Sequence, residues 1–405
     1  MKYSFLEPIQ VGNQTVKNCV MYLAMAKMFS GFDGTVSQKD LAYIHSVAEG
    51  GAGLIVPGAM VIDPEWPSVI PLQFSIYDDK FIPGLKKLAD AGHVEGSKIL
   101  FQLWHPGQVN YSGHQPPTIN EMSVEKIHDI QGKFRSGAVR AMEAGADGIE
   151  FQICHTYLAD QFFSPAFNHR TDEYGADTLE NSLRFSVETL RMIREAIGPD
   201  KILAVKLQST DCVDGGVTPE RAAEAAPFIE RAGADMISVS GGGSLTDITG
   251  MSGDGTRAEG WKVPFAAMVK ANVSIPVCAT GSIRHPEYAD KIIREGNCDM
   301  IGMGRGIYAE REWVNKCAQG REREMRYCIS CMNCWNTELA ADQSGCSVNP
   351  FAGREFVQPE LVKDGAGRTV VIVGAGPGGL EAAVTLKQRG FDPVLFDEKD
   401  DIGAI

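Results

Sequence analysis

Eight short apolar runs, spaced through the first three quarters of the chain, constrain this sequence more than any other feature. They are Val20–Ala24, Gly53–Pro57, Lys98–Leu103, Asp147–Gln152, Ile202–Leu207, Asp235–Ser240, Pro276–Thr280 and Asp299–Gly304. Each is too short for a helix, and amphipathic stretches such as Gln131–Ala144, Leu179–Ala196, Pro219–Ala232 and Pro286–Glu295 lie between them. Strands alternating with helices make right-handed β/α units around a parallel sheet. Eight such units in some 300 residues predict a closed (β/α)8 TIM barrel over residues 1–315 rather than an open sheet.

Barrels of this kind do their chemistry at the carboxyl ends of the strands. Here those ends carry Ala24–Ala26, Gly58, Gln102 with His105, Gln152 with His155, Lys206, Ser240–Gly243, Gly281 and Gly304–Arg305. Gly281-Ser282 and Gly304-Arg305, after the last two strands, read as a phosphate site; ordinary tight turns are the alternative.

Beyond the barrel the periodicity fades. Residues 316–366 contain Cys328, Cys331 and Cys334, followed eleven residues later by Cys346. Three thiolates two residues apart, closed by a distant fourth, match the ligand count of a [4Fe–4S] cluster. A zinc site more often shows two separate Cys-x-x-Cys knuckles; four unliganded thiols are the third reading. The other six cysteines are scattered and read as buried small hydrophobes.

A third unit, 367–405, reads as an incomplete Rossmann-like segment. Thr369–Val373 is a strand candidate, Gly374-Ala-Gly376-Pro-Gly-Gly379 a glycine turn and Leu380–Arg389 a helix. A second strand ends on Asp397. A glycine turn opening a helix presents backbone N–H groups to a pyrophosphate, and an acid about 20 residues on suits ribose hydroxyls. A two-stranded unit is marginal alone. FAD and NAD(P)H are therefore expected only where further C-terminal domains are present.

The run Tyr157-Leu-Ala-Asp-Gln161-Phe-Phe-Ser164-Pro165-Ala-Phe-Asn168-His-Arg170, continuing to Glu180-Asn181, resembles the Old Yellow Enzyme superfamily of FMN barrels. The whole layout is similar to its multidomain iron–sulfur branch, which includes 2,4-dienoyl-CoA reductase, 2-enoate reductase and trimethylamine dehydrogenase. The resemblance implies NAD(P)H-driven, NADH:flavin oxidoreductase (ene-reductase) chemistry on an activated C=C bond. Electrons would pass from FAD through the cluster to FMN. It lays Ala24, Met25, Ala26 and Gly58 along the flavin and puts Gln102 on its pyrimidine edge. Lys206 would stand beside flavin N1 and O2, where relatives usually carry Arg. Gly281, Ser282, Gly304 and Arg305 would hold the phosphate. Gly374, Gly376, Gly379 and Asp397 would meet a dinucleotide. His155 and Gln152 would donate to a substrate carbonyl while Tyr157 delivers a proton; glutamine at 152 replaces the usual histidine or tyrosine. Two rival readings are an amine dehydrogenase-like oxidation and a catalytically idle electron-transfer fragment.

The net charge of −14 argues against nucleic acid and anionic membrane surfaces as partners. A small-molecule substrate is expected, and the sequence permits a homo-oligomer. Glu7 and Pro8 interrupt any apolar leader. Ten cysteines in such a chain suggest a reducing, cytoplasmic setting.

Overall fold

The computed structural model describes residues 2–66, 72–110, 116–339, 345–357 and 361–399. Its contacts divide it into two compact units, Met1–Phe356 and Val357–Ile405.

The first unit is the expected barrel. Its strands are β1 (Val20–Tyr22), β2 (Leu54–Ile55), β3 (Lys98–Trp104), β4 (Gly148–Ile153), β5 (Ile202–Gln208), β6 (Met236–Ser240), β7 (Val277–Ala279) and β8 (Met300–Met303). All pair in parallel with their sequence neighbours. β8 closes the ring by pairing Ile301–Met303 with Val20–Tyr22 of β1. Every residue of β4, β5 and β6 is buried. A strand covered by helices outside and by its opposite neighbours inside has little room for a polar face, so these runs are mostly apolar, broken by Glu150, Gln152, Lys206, Gln208, Ser238 and Ser240.

The helices follow capping chemistry. Thr178 and Thr218 accept from backbone N–H groups at the starts of Leu179–Ile197 and Pro219–Arg231. The helix expected from Gln131 begins seven residues earlier, at Val124, where the Ser123 side chain accepts from Lys126 N–H. Glu125, Lys126, His128 and Asp129 face outward there and dilute the apolar period, although Ile127 and Ile130 are buried. No helix among the described residues is long and apolar enough to cross a membrane.

The second unit has two parallel strands, Thr369–Val373 and Asp392–Phe396, joined by the helix Pro377–Gln388. Both strands alternate exposed and half-buried residues. Val371 and Phe396 are 60 % and 58 % exposed, so much of this small sheet is uncovered.

Gly148 starts β4 opposite Ile202 of β5. A Cβ at Gly148 would lie 2.0 Å from the Ile202 carbonyl oxygen. Because that obstacle is ladder backbone, the methyl can be housed only by parting two central strands. Gly148→Ala is expected to cost about 1–3 kcal/mol, read as a lower thermal midpoint with the far-UV circular dichroism of the surviving folded fraction unchanged.

Candidate active site at the barrel mouth

One cavity at the carboxyl end of the barrel gathers all the barrel residues proposed from sequence for flavin or substrate. Ala24, Met25, Ala26, Gly58, Gln102, Gln152, His155, Tyr157, Lys206, Gly281, Ser282, Gly304 and Arg305 all line it. They come from seven strands and the turns after them, so barrel closure alone brings them together.

The floor carries a charge network. Gln102 Nε2 donates to Glu150 Oε1 at 2.5 Å, and Lys206 Nζ lies 3.8 Å from Glu150 Oε2. Burial pushes the Glu150 carboxyl up, while Lys206 and Gln102 pull it back. Glu150 fixes both Gln102 and Lys206, yet sequence reasoning passed over it. The available signal was an acid in the middle of the apolar run Gly148-Ile-Glu-Phe-Gln-Ile153.

The opposite wall is built on a strained turn. His155 and Thr156 both have left-handed backbones, with φ of 65° and 59°. Consecutive non-glycine residues in this region are costly and need outside support. Here Thr156 N–H donates to Asp160 Oδ2 at 2.6 Å, His155 N–H donates to Gln208 Oε1 at 3.1 Å, and the His155 carbonyl accepts from Ser244 N–H at 3.1 Å. The turn aims His155 and Tyr157 into the mouth. His155 Nε2 is 2.7 Å from Ser240 Oγ, and Nδ1 is 3.5 Å from the Gln152 amide nitrogen. Burial, then Lys262 and Lys206, hold His155 well below its usual pKa, so the ring is neutral. The Tyr157 hydroxyl is 3.3 Å from Ser244 Oγ, and its ring meets the edge of Trp104 at 5.3 Å.

Arg305 reaches the Gly253 carbonyl and, at 3.3 Å, Ser282 Oγ. Gly281, at φ +116°, packs against the Lys262 backbone, 3.0 Å from where a Cβ would stand. Among the described residues, five buried polar atoms of the cavity's lining residues have no protein partner: Gln73 Nε2, Trp104 Nε1, Gln152 Oε1, Trp261 Nε1 and Arg284 Nε. Unpaired buried polar atoms are costly, and a polar, planar flavin in the mouth is the kind of group that fits them.

The cysteine segment meets this mouth. Cys328, Cys331, Cys334 and Cys346 all line a second, smaller cavity, and Cys328, Cys334, Met332 and Arg305 line both. Ser330 and Met332 have left-handed backbones that bend the chain between thiols. Arg284 ties the segment down by donating to the Cys328 carbonyl at 3.2 Å. Among the described residues no group of three or more Cys, His, Asp or Glu converges on a single-ion site.

His105 lies behind the mouth. It is 3.8 Å from Asp63, whose carboxylate also takes Lys133 at 2.8 Å. In the second unit the glycine turn spans Gly374 to Gly379, and the Asp397 carboxylate accepts from Ala375 N–H at 2.6 Å. Asp397 thus braces the turn. Sequence reasoning also missed Lys262 and Trp261. They lie between strands rather than at a strand end, where position carries no signal.

The chain belongs to the NADH:flavin oxidoreductase / NADH oxidase family of FMN-dependent barrels, whose sequence profile matches residues 4–324. Residues 372–404 match an NAD(P)-binding Rossmann-like domain. The chain is similar to an NADH oxidase of Thermoanaerobacter brockii, at 35% identity over 98% of this chain and 63% of that protein. In structure it is similar to a 2-naphthoyl-CoA reductase, with a TM-score of 0.91 at 28% identity over 100% of this chain and 66% of the other. It is also similar to histamine dehydrogenase from Rhizobium sp. 4-9, with a TM-score of 0.88 at 26% identity, covering 100% and 61%. The chain spans a little over three fifths of the length of these relatives.

Asp63 supports the wall behind the mouth. Burial raises its carboxyl, but His105 and Lys133 outweigh that and hold it below the usual carboxylate range. A carboxyl depressed on folding stabilises the protein above its unfolded pKa of about 4 and loses that contribution as pH falls through the folded value. Asp63→Asn is expected to lower the thermal midpoint at pH 7, and the gap from wild type should narrow as the pH is taken below about 4.

Proposed function

We propose that this chain forms the FMN- and cluster-bearing part of an oxidoreductase that reduces an activated C=C bond with electrons drawn from NAD(P)H. In this reading residues 1–315 hold the flavin, 316–366 the cluster and 367–405 the start of a dinucleotide unit. The observation that carries the reading is the charge of the mouth. Lys206, Lys262 and Arg305 all line it, and Glu150, the acid beneath, is engaged with Gln102 and Lys206. Such a site repels a protonated amine and attracts a conjugated acid derivative, which favours reduction over the amine oxidation suggested by the likeness to histamine dehydrogenase.

FMN supplies the hydride chemistry when bound; Arg305, Ser282, Gly281 and Gly304 would hold its phosphate. Ala24, Met25, Ala26, Gly58 and Gln102 would flank its ring, and Lys206 would place positive charge where the reduced ring is anionic. Gln152 and the neutral His155 would orient the substrate carbonyl through N–H donors, His155 after giving up its contact with Ser240. Tyr157 would deliver the proton to the α-carbon. Trp104 and Trp261 would keep water from that transfer.

We assign Cys328, Cys331, Cys334 and Cys346 to one [4Fe–4S] cluster, which supplies single-electron transfer beside the flavin. The support is that all four line one cavity sharing a wall with the mouth. In the second unit the Gly374–Gly379 turn would take a dinucleotide pyrophosphate.

Tyr157→Phe is expected to slow flavin reoxidation by an activated alkene roughly 10²–10⁴-fold, with photoreduction of the flavin unaffected. Stopped-flow mixing of the photoreduced protein with enoates reads this directly, and an unchanged rate would move the proton donor elsewhere. Anaerobically purified protein is expected to hold about four iron and four sulfide per chain. Zinc at one per chain without iron would remove the cluster.

A further inference from the structure

Among the described residues, Lys262 is the lysine lining the mouth that no carboxylate answers. The residue is 3 % exposed. Its ammonium reaches neutral groups: the Gly241 carbonyl at 3.2 Å, the Met251 carbonyl at 3.4 Å, Ser240 Oγ at 3.4 Å and the face of the Trp261 ring at 5.1 Å. Among the described residues no carboxylate lies within ion-pair distance of it. Burying an ammonium is expensive unless an opposite charge meets it. Lys206, by contrast, has Glu150, and Arg305 is placed for a phosphate.

The position is as telling as the charge. The Ser240 hydroxyl 3.4 Å from Lys262 Nζ is the one that sits 2.7 Å from His155 Nε2. Lys262 is therefore one hydroxyl away from the group assigned to the substrate carbonyl, and it lines the same cavity.

We propose that Lys262 is a specificity residue that binds the carboxylate of an α,β-unsaturated acid, making this site one for free enoates rather than for enones or neutral esters. The inference rests on the reductase reading and names its substrate class. A free enoate is a poor hydride acceptor because negative charge builds on an already anionic conjugated system. A desolvated ammonium against one carboxylate oxygen opposes that build-up, with Ser240 and His155 on the other.

Burial lowers the Lys262 ammonium to about 7, with Lys206 and Arg305 adding repulsion and the Cys154 and Cys212 thiols opposing it; the neutral His155 faces it through Ser240. The cation is present below that pH and is lost above it, so carboxylate affinity should fall as pH rises through this value.

The test uses the flavin-loaded protein and two saturated ligands that cannot turn over, 3-phenylpropanoate and 3-phenylpropanamide, titrated by the change in flavin absorbance. At pH 6.5 K262M is expected to weaken the carboxylate by roughly 30-fold or more, and the amide by less than about threefold, within the range of ordinary packing effects. K262R should keep the carboxylate preference. In wild type the carboxylate should weaken by about tenfold per unit above pH 8, and in K262R it should not. Equal weakening of both ligands by K262M, or no weakening of either, would overturn the proposal. So would loss of flavin from K262M on gel filtration, which would make Lys262 a flavin ligand. Because binding needs no turnover, a carboxylate held through Lys262 whose unsaturated analogue is not reduced would sink the reductase reading and leave the anion site standing.

Discussion

The pairing of β8 with β1 is the contact on which the rest of the barrel unit depends. Without Ile301, Gly302 and Met303 laddered onto Val20, Met21 and Tyr22, the sheet would be open. Its first and last strand ends would then be far apart. Closure puts Met25 from the first turn beside Gly304 from the last, with the Met25 sulfur 2.6 Å from where a Gly304 Cβ would be. Gln102, Gln152 and Lys206 are anchored in buried ladders at the mouth, and other wall residues stand on the turns just after the strands.

Within that frame the site is organised by unequal sharing of one carboxylate. Glu150 is fully buried and answers Lys206, while Lys262 and Arg305 also bring positive charge to the cavity lining. In a low-dielectric pocket such charges act strongly over several ångströms. Burial chiefly keeps His155 neutral, with Lys262 and Lys206 adding to it, and the cations bias the site toward anionic ligands. The same charges would assist a flavin that becomes anionic on reduction, so cofactor and substrate preferences come from one electrostatic arrangement.

The cysteine segment is placed by the barrel as much as by its own sequence. Arg284, just after β7, holds the Cys328 carbonyl, and Arg305, just after β8, donates to the Met332 sulfur at 3.1 Å. Residues that line the mouth on one side thus steady the cysteine loop on the other. A cluster held there would lie one side chain from the mouth, a spacing suited to transfer of single electrons.

Much of this was legible in the sequence because short, regularly spaced apolar runs can satisfy their backbone and bury both faces in few ways. All eight expected strands are present, and the strand-end rule led to Gln102, Gln152, Lys206 and Arg305. The cysteine spacing and the glycine turn were equally visible, since each ligand type lies within a few residues of the next. Sequence could not show which buried charges neutralise each other. Glu150 pairs with Lys206 because β4 and β5 align Gln152 with Lys206 in register, and Lys262 reaches Ser240 from a connecting stretch 22 residues further along the chain. The sequence determined the barrel and the kinds of groups at its mouth through local periodicity. The tertiary structure alone decided the charge left over in the cavity, because that depends on distances between residues remote in the chain.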